Sequence, residues 1–396
     1  MRICGKLCDT REVVMVEAPA DRISRVAAIP ESGPVEPPDV GSPDVWLSPG
    51  FLDLQVNGYG GADFNVGAWG GAEEVTTAVA PVYEHLARGG TPLLCPTITT
   101  NSREAILTAF RGLAAALDSD RMLDQRTPGF HLEGPYISSE EGPRGAHPLE
   151  HVRDPDWDEF QQFQEAAGGR IRICTVAPER EGALRFIERA SNAGVVVALG
   201  HTGAEPSTIR DAKLAGAQLS THLGNGAHGL IRRHPNYIWE QLADDRLFAG
   251  VIADGHHLPP SVLKVFARAK GAERLALVSD AVSLGGLPPG RYAGGRFEVL
   301  ETGKIVLAGT AYLAGAGRLL DTGVANALRF TDLTLREATR CASAIPARIL
   351  GLENRKGRIQ PGFDADFTLF RVPDGGPLEI VASICAGQVL YRGAAA

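Results

Sequence analysis

The chain has no long apolar run, no stretch rich in lysine and arginine, no low-complexity segment and only six cysteines. Each shortage excludes something. With no apolar stretch near the length of a bilayer, a transmembrane helix is not expected. The first residues, Met1-Arg2-Ile3-Cys4-Gly5, lack the extended apolar core of a signal peptide, so the expected location is cytoplasmic. Lys and Arg number 39 against 47 Asp and Glu, and the net charge of -8 is offset by no basic run or helix. Nucleic acid and anionic membrane are poor partners for such a chain. The cysteines, at 4, 8, 95, 174, 341 and 385, form no CxxC pair and no zinc-type cluster. They read as buried free thiols in a reducing compartment. What is present is an ordinary globular composition. Its 396 residues, 44% hydrophobic and 22% charged, suit one large α/β domain plus something smaller.

The middle of the chain alternates between short apolar runs and helical patterns. Strands are expected at 50–56, 91–96, 129–133, 171–176, 195–200, 218–222, 248–253 and 275–280. Between them lie helices such as the one opening at Asn101-Ser102-Arg103-Glu104, with Ile106, Phe110, Leu113 and Leu117 at helical spacing. Another follows Pro259-Pro260-Ser261. Thr334-Leu335-Arg336-Glu337 has the form of a capping box, and Gly351 of a helix stop. Eight strand–helix units predict a closed parallel (β/α)8 TIM barrel over residues 49–353. Both ends are strand-like instead: Val13–Val16, Ile23–Ile29, Arg358-Ile359, Asp366–Phe370 and Gln388–Tyr391, with a turn- and proline-rich stretch from Pro30 to Pro43. Residues 1–48 and 354–396 are therefore expected to pair into one small β-sandwich domain.

In a barrel of this kind, chemistry sits at the carboxyl ends of the strands. The third expected strand ends in His131-Leu132-Glu133 and stops at Gly134-Pro135, where proline has no amide to donate. A strand covered on both faces has little reason to hold a carboxylate and an imidazole unless they are used. The fifth ends at Gly200-His201-Thr202 and the sixth at Thr221-His222-Leu223. The seventh runs into Asp254-Gly255-His256-His257, and the eighth ends at Ser279-Asp280. Each alone has a plain explanation: a carboxylate paired with arginine, a helix cap at Asp280, a turn at Thr221-His222. Together they place two imidazoles and a carboxylate, His201, His222 and Glu133, around one point, which is a zinc-type ligand set with a position left for water. Asp280 then faces that water as general base and acid.

These motifs carry a resemblance. Pro49-Gly50-Phe51-Leu52-Asp53-Leu54-Gln55-Val56-Asn57-Gly58, His131-Leu132-Glu133-Gly134-Pro135, Gly200-His201-Thr202, Thr221-His222-Leu223-Gly224-Asn225, Ile252-Ala253-Asp254-Gly255-His256-His257 and Ser279-Asp280-Ala281 occur in that order. With the ending Gly357-Arg358-Ile359-Gln360-Pro361-Gly362-Phe363-Asp364-Ala365-Asp366, the chain resembles the amidohydrolase superfamily, and within it the N-acetylglucosamine-6-phosphate deacetylases. The resemblance implies hydrolysis of the N-acetyl group of N-acetylglucosamine 6-phosphate. It implies Glu133, His201 and His222 as ligands of a divalent metal, and Asp280 as acid/base. His257 would bind substrate and polarise the acetyl carbonyl. Asn225 and the Gly226 backbone would hold the sugar or its phosphate, and His147 would contact substrate. Arg233 would reach the phosphate in a neighbouring subunit, which implies a homodimer.

The departures from the family pattern are local. Gln55 and Asn57 stand where many amidohydrolases have the two histidines of a second metal, so one metal is expected, zinc first, with iron, manganese or cobalt also suited to such a set. The Arg232-Arg233-His234-Pro235 stretch and the long loop from Ser138 to Ala146 differ where phosphate and sugar are recognised. A deacetylase of an unphosphorylated or different amino sugar is the alternative. Another hydrolase of N-acyl or cyclic amides is a second; a dihydroorotase-like site would want a lysine on the fourth strand, and Ile171–Val176 has none. A non-catalytic scaffold would have let the ligand set erode. Asp53 is expected to orient its neighbours. Arg233 could equally be a solvated arginine, His256 reads as a rim residue, and His85, His151, His228 and His234 as packing or surface residues.

Overall fold

The computed structural model describes residues 1–29, 36–66, 70–310 and 312–394. Eight parallel strands, Leu52–Val56, Leu93–Thr99, Phe130–Glu133, Ile171–Val176, Val196–Leu199, Leu219–Ser220, Phe248–Ile252 and Leu275–Val278, lie side by side in chain order. The ring closes between the last and the first. Val56 bridges Ala281, the Asp280 amide donates to the Gln55 carbonyl at 3.0 Å, and the Asn57 amide to the Ala281 carbonyl at 2.8 Å. A helix follows every strand. All eight expected strands are present, but several are shorter than their apolar runs. The sixth ends at Ser220 and the eighth at Val278, because His222 (φ 25°) and Asp280 (φ 52°) leave the extended region of backbone space.

Local signals explain the helices. Arg103–Ser119 starts where Ser102 Oγ accepts the Ala105 amide, and its stripe Ile106, Phe110, Leu113 and Leu117 is fully buried. Leu335–Cys341 opens on the expected capping box of Thr334 and Glu337. Inside the ring, Leu52, Leu54, Leu93, Cys95, Ile173, Val196, Ala198 and Val278 share a core with Ile345, Ile349 and Leu350. The barrel is therefore packed and holds no pore.

The two termini do build one sheet. Its order is Gln388–Arg392, Glu379–Cys385, Phe367–Arg371, Val40–Pro49, Arg2–Leu7, Val13–Glu17, Arg25–Ala28. Val40–Pro49 pairs parallel with the N-terminal strand and antiparallel with Phe367–Arg371, so the hydrogen bonding runs through as a single seven-stranded mixed sheet. Ile3, Val14, Val16, Leu47, Phe367, Leu369 and Ile384 share its core. Residues 30–35 of the proline-rich stretch lie outside the described residues. Pro43 falls in a register shift of the Val40–Pro49 strand, where it need not donate to the ladder. Arg358-Ile359, read as a strand, is not one. The three-stranded sheet Gly290–Tyr292, Phe297–Val299 and Ile305–Leu307 escaped the sequence reading because its strands are too short to show alternation. The six cysteines are buried and free.

Candidate metal centre

Glu133, His201 and His222 converge above the ring. Glu133 Oε1 lies 2.9 Å from His222 Nε2 and 3.3 Å from His201 Nε2, and the two nitrogens are 3.0 Å apart. All three residues are buried, at 3%, 6% and 3% exposure. Backbone strain puts them there. His201 (φ 51°), His222 and Asp280 are three of only six non-glycine residues with positive φ among the described residues. Such conformations cost energy and gather where a side chain must be aimed. Glu133 is followed by Gly134, at φ 82°; a Cβ there would come within 2.1 Å of Thr100 Oγ1. Only glycine lets the chain leave the strand directly after the carboxylate.

The second layer sets the proton positions. His201 Nδ1 donates to the Pro143 carbonyl at 2.8 Å, which leaves its Nε2 lone pair facing Glu133. Three acceptor atoms packed this closely in a buried site need a positive charge among them, and the donor set of two imidazoles and one carboxylate fits a divalent cation. His147 adds a fourth group. Its Nδ1 bonds Thr100 Oγ1 at 2.8 Å, its ring sits 4.3 Å from that of His201, and it offers a ligand atom within 4.8 Å of those of Glu133 and His201. Burial holds His147 down to about 3, so it is neutral.

Asp280 stands beside this cluster. Gln55 Nε2 donates to Glu133 Oε1 at 2.7 Å and to Asp280 Oδ1 at 3.1 Å, and Asn57 Nδ2 donates to the same Asp280 oxygen at 2.8 Å. Burial, then the charge of Glu133, raises Asp280 to about 6. Burial would raise Glu133 too, but its pairing with the two imidazoles holds it well below the usual carboxylate range. His222 is pushed down by burial and lifted above its ordinary value by Glu133. Asp53, as expected, orients: its carboxylate accepts the Ser279 amide at 3.1 Å and the Gln55 amide at 3.2 Å, tying the first strand to the eighth.

The remaining sequence candidates divide. His257 is held by Asp254, whose carboxylate accepts His257 Nδ1 at 2.9 Å and the amides of His256 and His257 at 2.8 and 2.9 Å. Asp254 was not assigned this task from sequence, although the Asp-x-x-His spacing carries it. Asn225 bonds back to the His222 carbonyl, and Gly226 packs so closely on His201 that a Cβ would meet Nδ1 at 2.7 Å. Arg233 is not brought to the cluster. It lies exposed on the loop before the helix Tyr237–Ala243. His131 stays in the ring, bonded to Leu54 O and Thr175 Oγ1, and burial keeps it down to about 4. His228 bonds Glu140 and Tyr237, and His85 packs on Tyr59.

A barrel with acidic and imidazole side chains at its strand ends, joined to a sheet of both termini, defines the amidohydrolase class. The chain belongs to the amidohydrolase family, whose profile matches residues 46–390. It is 36% identical over 355 residues to N-acetylglucosamine-6-phosphate deacetylase of Bos taurus, covering 87% of this chain and 83% of that protein. It is 34% identical over 316 residues to N-acetylgalactosamine-6-phosphate deacetylase of Escherichia coli O157:H7, covering 80% and 81%. Among solved structures, an aspartate-to-alanine mutant of N-acetyl-D-glucosamine-6-phosphate deacetylase from Mycobacterium smegmatis, in complex with N-acetyl-D-glucosamine-6-phosphate, superposes with a TM-score of 0.85 at 30% identity, covering 98% of this chain and 99% of that one.

Proposed function

We propose that this protein hydrolyses the N-acetyl group of N-acetylglucosamine 6-phosphate, giving glucosamine 6-phosphate and acetate. The observation that carries the reading is the meeting of Glu133, His201 and His222 within 3.3 Å of one another, with Asp280 linked to Glu133 through one amide group. The similarity to deacetylases over most of the chain supports it. Glu133, His201 and His222 hold one divalent cation, with zinc the best match to two imidazoles and a carboxylate. When bound, it supplies a more acidic water and a polarised acetyl carbonyl.

The chain's own groups do the rest. Asp280 takes the proton of the attacking water and delivers it to the departing amine nitrogen. His257, held through Nδ1–H by Asp254, polarises the acetyl oxygen in its doubly protonated form, by donating Nε2–H to it. Asn225, the Gly226 backbone and His147 hold the sugar. Gln55 favours one metal over two, because its amide already places a donor between two carboxylates where a second cation would otherwise go. In a homodimer, Arg233 on its exposed loop reaches the phosphate in the partner's site. A cytoplasmic location agrees with six free thiols; among the described residues no helix is long and apolar enough to cross a membrane. The terminal segments 1–48 and 354–396 form the small domain beside the barrel.

A second reading, the galactosamine epimer, rests on the Escherichia coli relative, whose 34% identity is close to that of the glucosamine-type enzymes. The experiment is acetate release by zinc-loaded protein from N-acetylglucosamine 6-phosphate, N-acetylgalactosamine 6-phosphate and N-acetylglucosamine. Preference for the first supports the proposal and preference for the second supports the epimer. No release from any of them, with metal bound, refutes both.

A further inference from the structure

His131 is a buried imidazole with no part in the proposed reaction. Its ring stands inside the barrel, two residues before Glu133 and so on the same face of the strand. Barrel interiors of this kind are normally filled by branched apolar side chains. Here a polar chain crosses the ring instead. His131 Nδ1 lies 3.2 Å from the Leu54 carbonyl and its Nε2 2.8 Å from Thr175 Oγ1, which is in turn 2.7 Å from Thr221 Oγ1. Both threonines are buried. The proton positions follow from the carbonyl at one end, which can only accept. His131 Nδ1–H donates to it, Nε2 of the neutral ring accepts the Thr175 hydroxyl, and Thr175 Oγ1 accepts the Thr221 hydroxyl. Each donor of the chain therefore has its acceptor, and a satisfied buried chain of this kind is rigid.

Every member of the chain stands beside a residue of the metal centre. Leu54 precedes Gln55, whose amide holds Glu133 and Asp280. Thr175 is paired with Glu133 across the strands. Thr221 directly precedes His222. Gly200 directly precedes His201 and packs on both threonines: a Cβ there would meet Thr221 Cβ at 2.6 Å and Thr175 Cγ2 at 3.1 Å. Immediately afterwards His201 and His222 turn to φ 51° and 25°. Such backbone persists only where the surroundings over-determine it. The chain holds the residues just before both strained turns.

We propose that His131 is a positioning residue for the metal centre, fixing through Thr175 and Thr221 the strand ends that carry Glu133, His201 and His222. The proposal rests on the reading of those three as metal ligands. The test is zinc affinity, by chelator competition from the zinc-loaded protein, in the wild type, Thr175→Val, Thr175→Ser and His131→Asn, with a thermal melt of each in excess chelator. It needs no sugar, so its result is independent of the deacetylase reading. Valine keeps the packing and removes the hydroxyl, whereas serine keeps the hydroxyl and removes a methyl group. Asparagine keeps a donor near the position of Nδ1 and is too short to reach Thr175. The Kd for zinc should rise about 10- to 100-fold in Thr175→Val and in His131→Asn, as for other groups that orient metal ligands. Thr175→Ser should bind zinc more tightly than Thr175→Val. A lowered melt alone is what a purely structural role gives. Zinc affinity equal to the wild type in Thr175→Val or in His131→Asn therefore overturns the proposal, however far the melt falls. Weaker binding by Thr175→Ser than by Thr175→Val also overturns it, because packing is then what the site needs. If His131→Asn does not fold, the valine and serine variants decide. A wild type that binds no zinc removes the metal centre and the proposal with it, an outcome told apart from the others because the unaltered protein is itself empty.

Discussion

At the scale of single residues, the centre works by spending hydrogen bonds on orientation. Asp280 is the proton carrier of the proposed reaction, and burial with the Glu133 charge lifts it to about 6. A base acts only when ionised, so kcat/KM should be lost as pH falls through that value. A bound dication favours the carboxylate and moves the limb lower. A pH–rate profile should therefore show its acid limb at or below about pH 6. Asp280→Asn should keep the metal, measured by elemental analysis, and lose about 100- to 10,000-fold in kcat. A variant with wild-type turnover removes Asp280 from the role. Gln55 is the less obvious residue. Replacing it by leucine deletes the donors to Glu133 and Asp280 together and leaves two carboxylates facing without a hydrogen between them. Turnover should drop roughly 10- to 100-fold, as for other groups that orient metal ligands. Unchanged steady-state rates would show that the bridge is incidental.

At the scale of elements, the strand ends matter more than the strands. The ring supplies parallel frames, and the chemistry begins where each strand stops. His201, His222 and Asp280 stop theirs by adopting positive φ, and Glu133 is followed by a glycine that does so. Gly134→Ala puts a Cβ against Thr100 in a conformation alanine resists, and should cost about 1–3 kcal/mol. Because Glu133 is the adjacent residue, the variant should also bind less metal, read by chelator competition alongside denaturant unfolding. Wild-type stability and metal content would mean the turn relaxes freely. The strand pattern, the Ser102 cap and the Thr334 capping box were all legible in the sequence, because they depend on neighbours within four residues. The short sheet over 290–307 and the early end of the sixth strand were not legible. They depend on contacts and turns that no local pattern encodes.

At the scale of the whole molecule, the terminal sheet and the barrel share buried polar links. Thr368 Oγ1 donates to Gly90 O at 2.8 Å and accepts the Phe51 amide at 3.1 Å, so one hydroxyl ties a strand of the sheet to two places on the barrel. Phe51 and Phe370 pack with ring centres 6.0 Å apart across the same junction. Thr368→Val preserves shape but strands two backbone groups, and should destabilise the protein by about 1–3 kcal/mol. The unfolding transition should remain single, since both parts share the junction. Two separated transitions would show that the barrel stands alone.

Sequence by itself determined the eight strand–helix units, the meeting of both termini, and the placing of Glu133, His201, His222 and Asp280 at strand ends that face one centre. Periodicity, caps and residues at strand ends are local facts, and a parallel barrel has one place to put its strand ends. Tertiary structure alone decided what surrounds them: the amide of Gln55 between two carboxylates, Pro143 fixing the His201 tautomer, and Thr100 behind His147. Those partners lie 47 or more residues apart in the chain, so no local pattern encodes them and only folding brings them into contact.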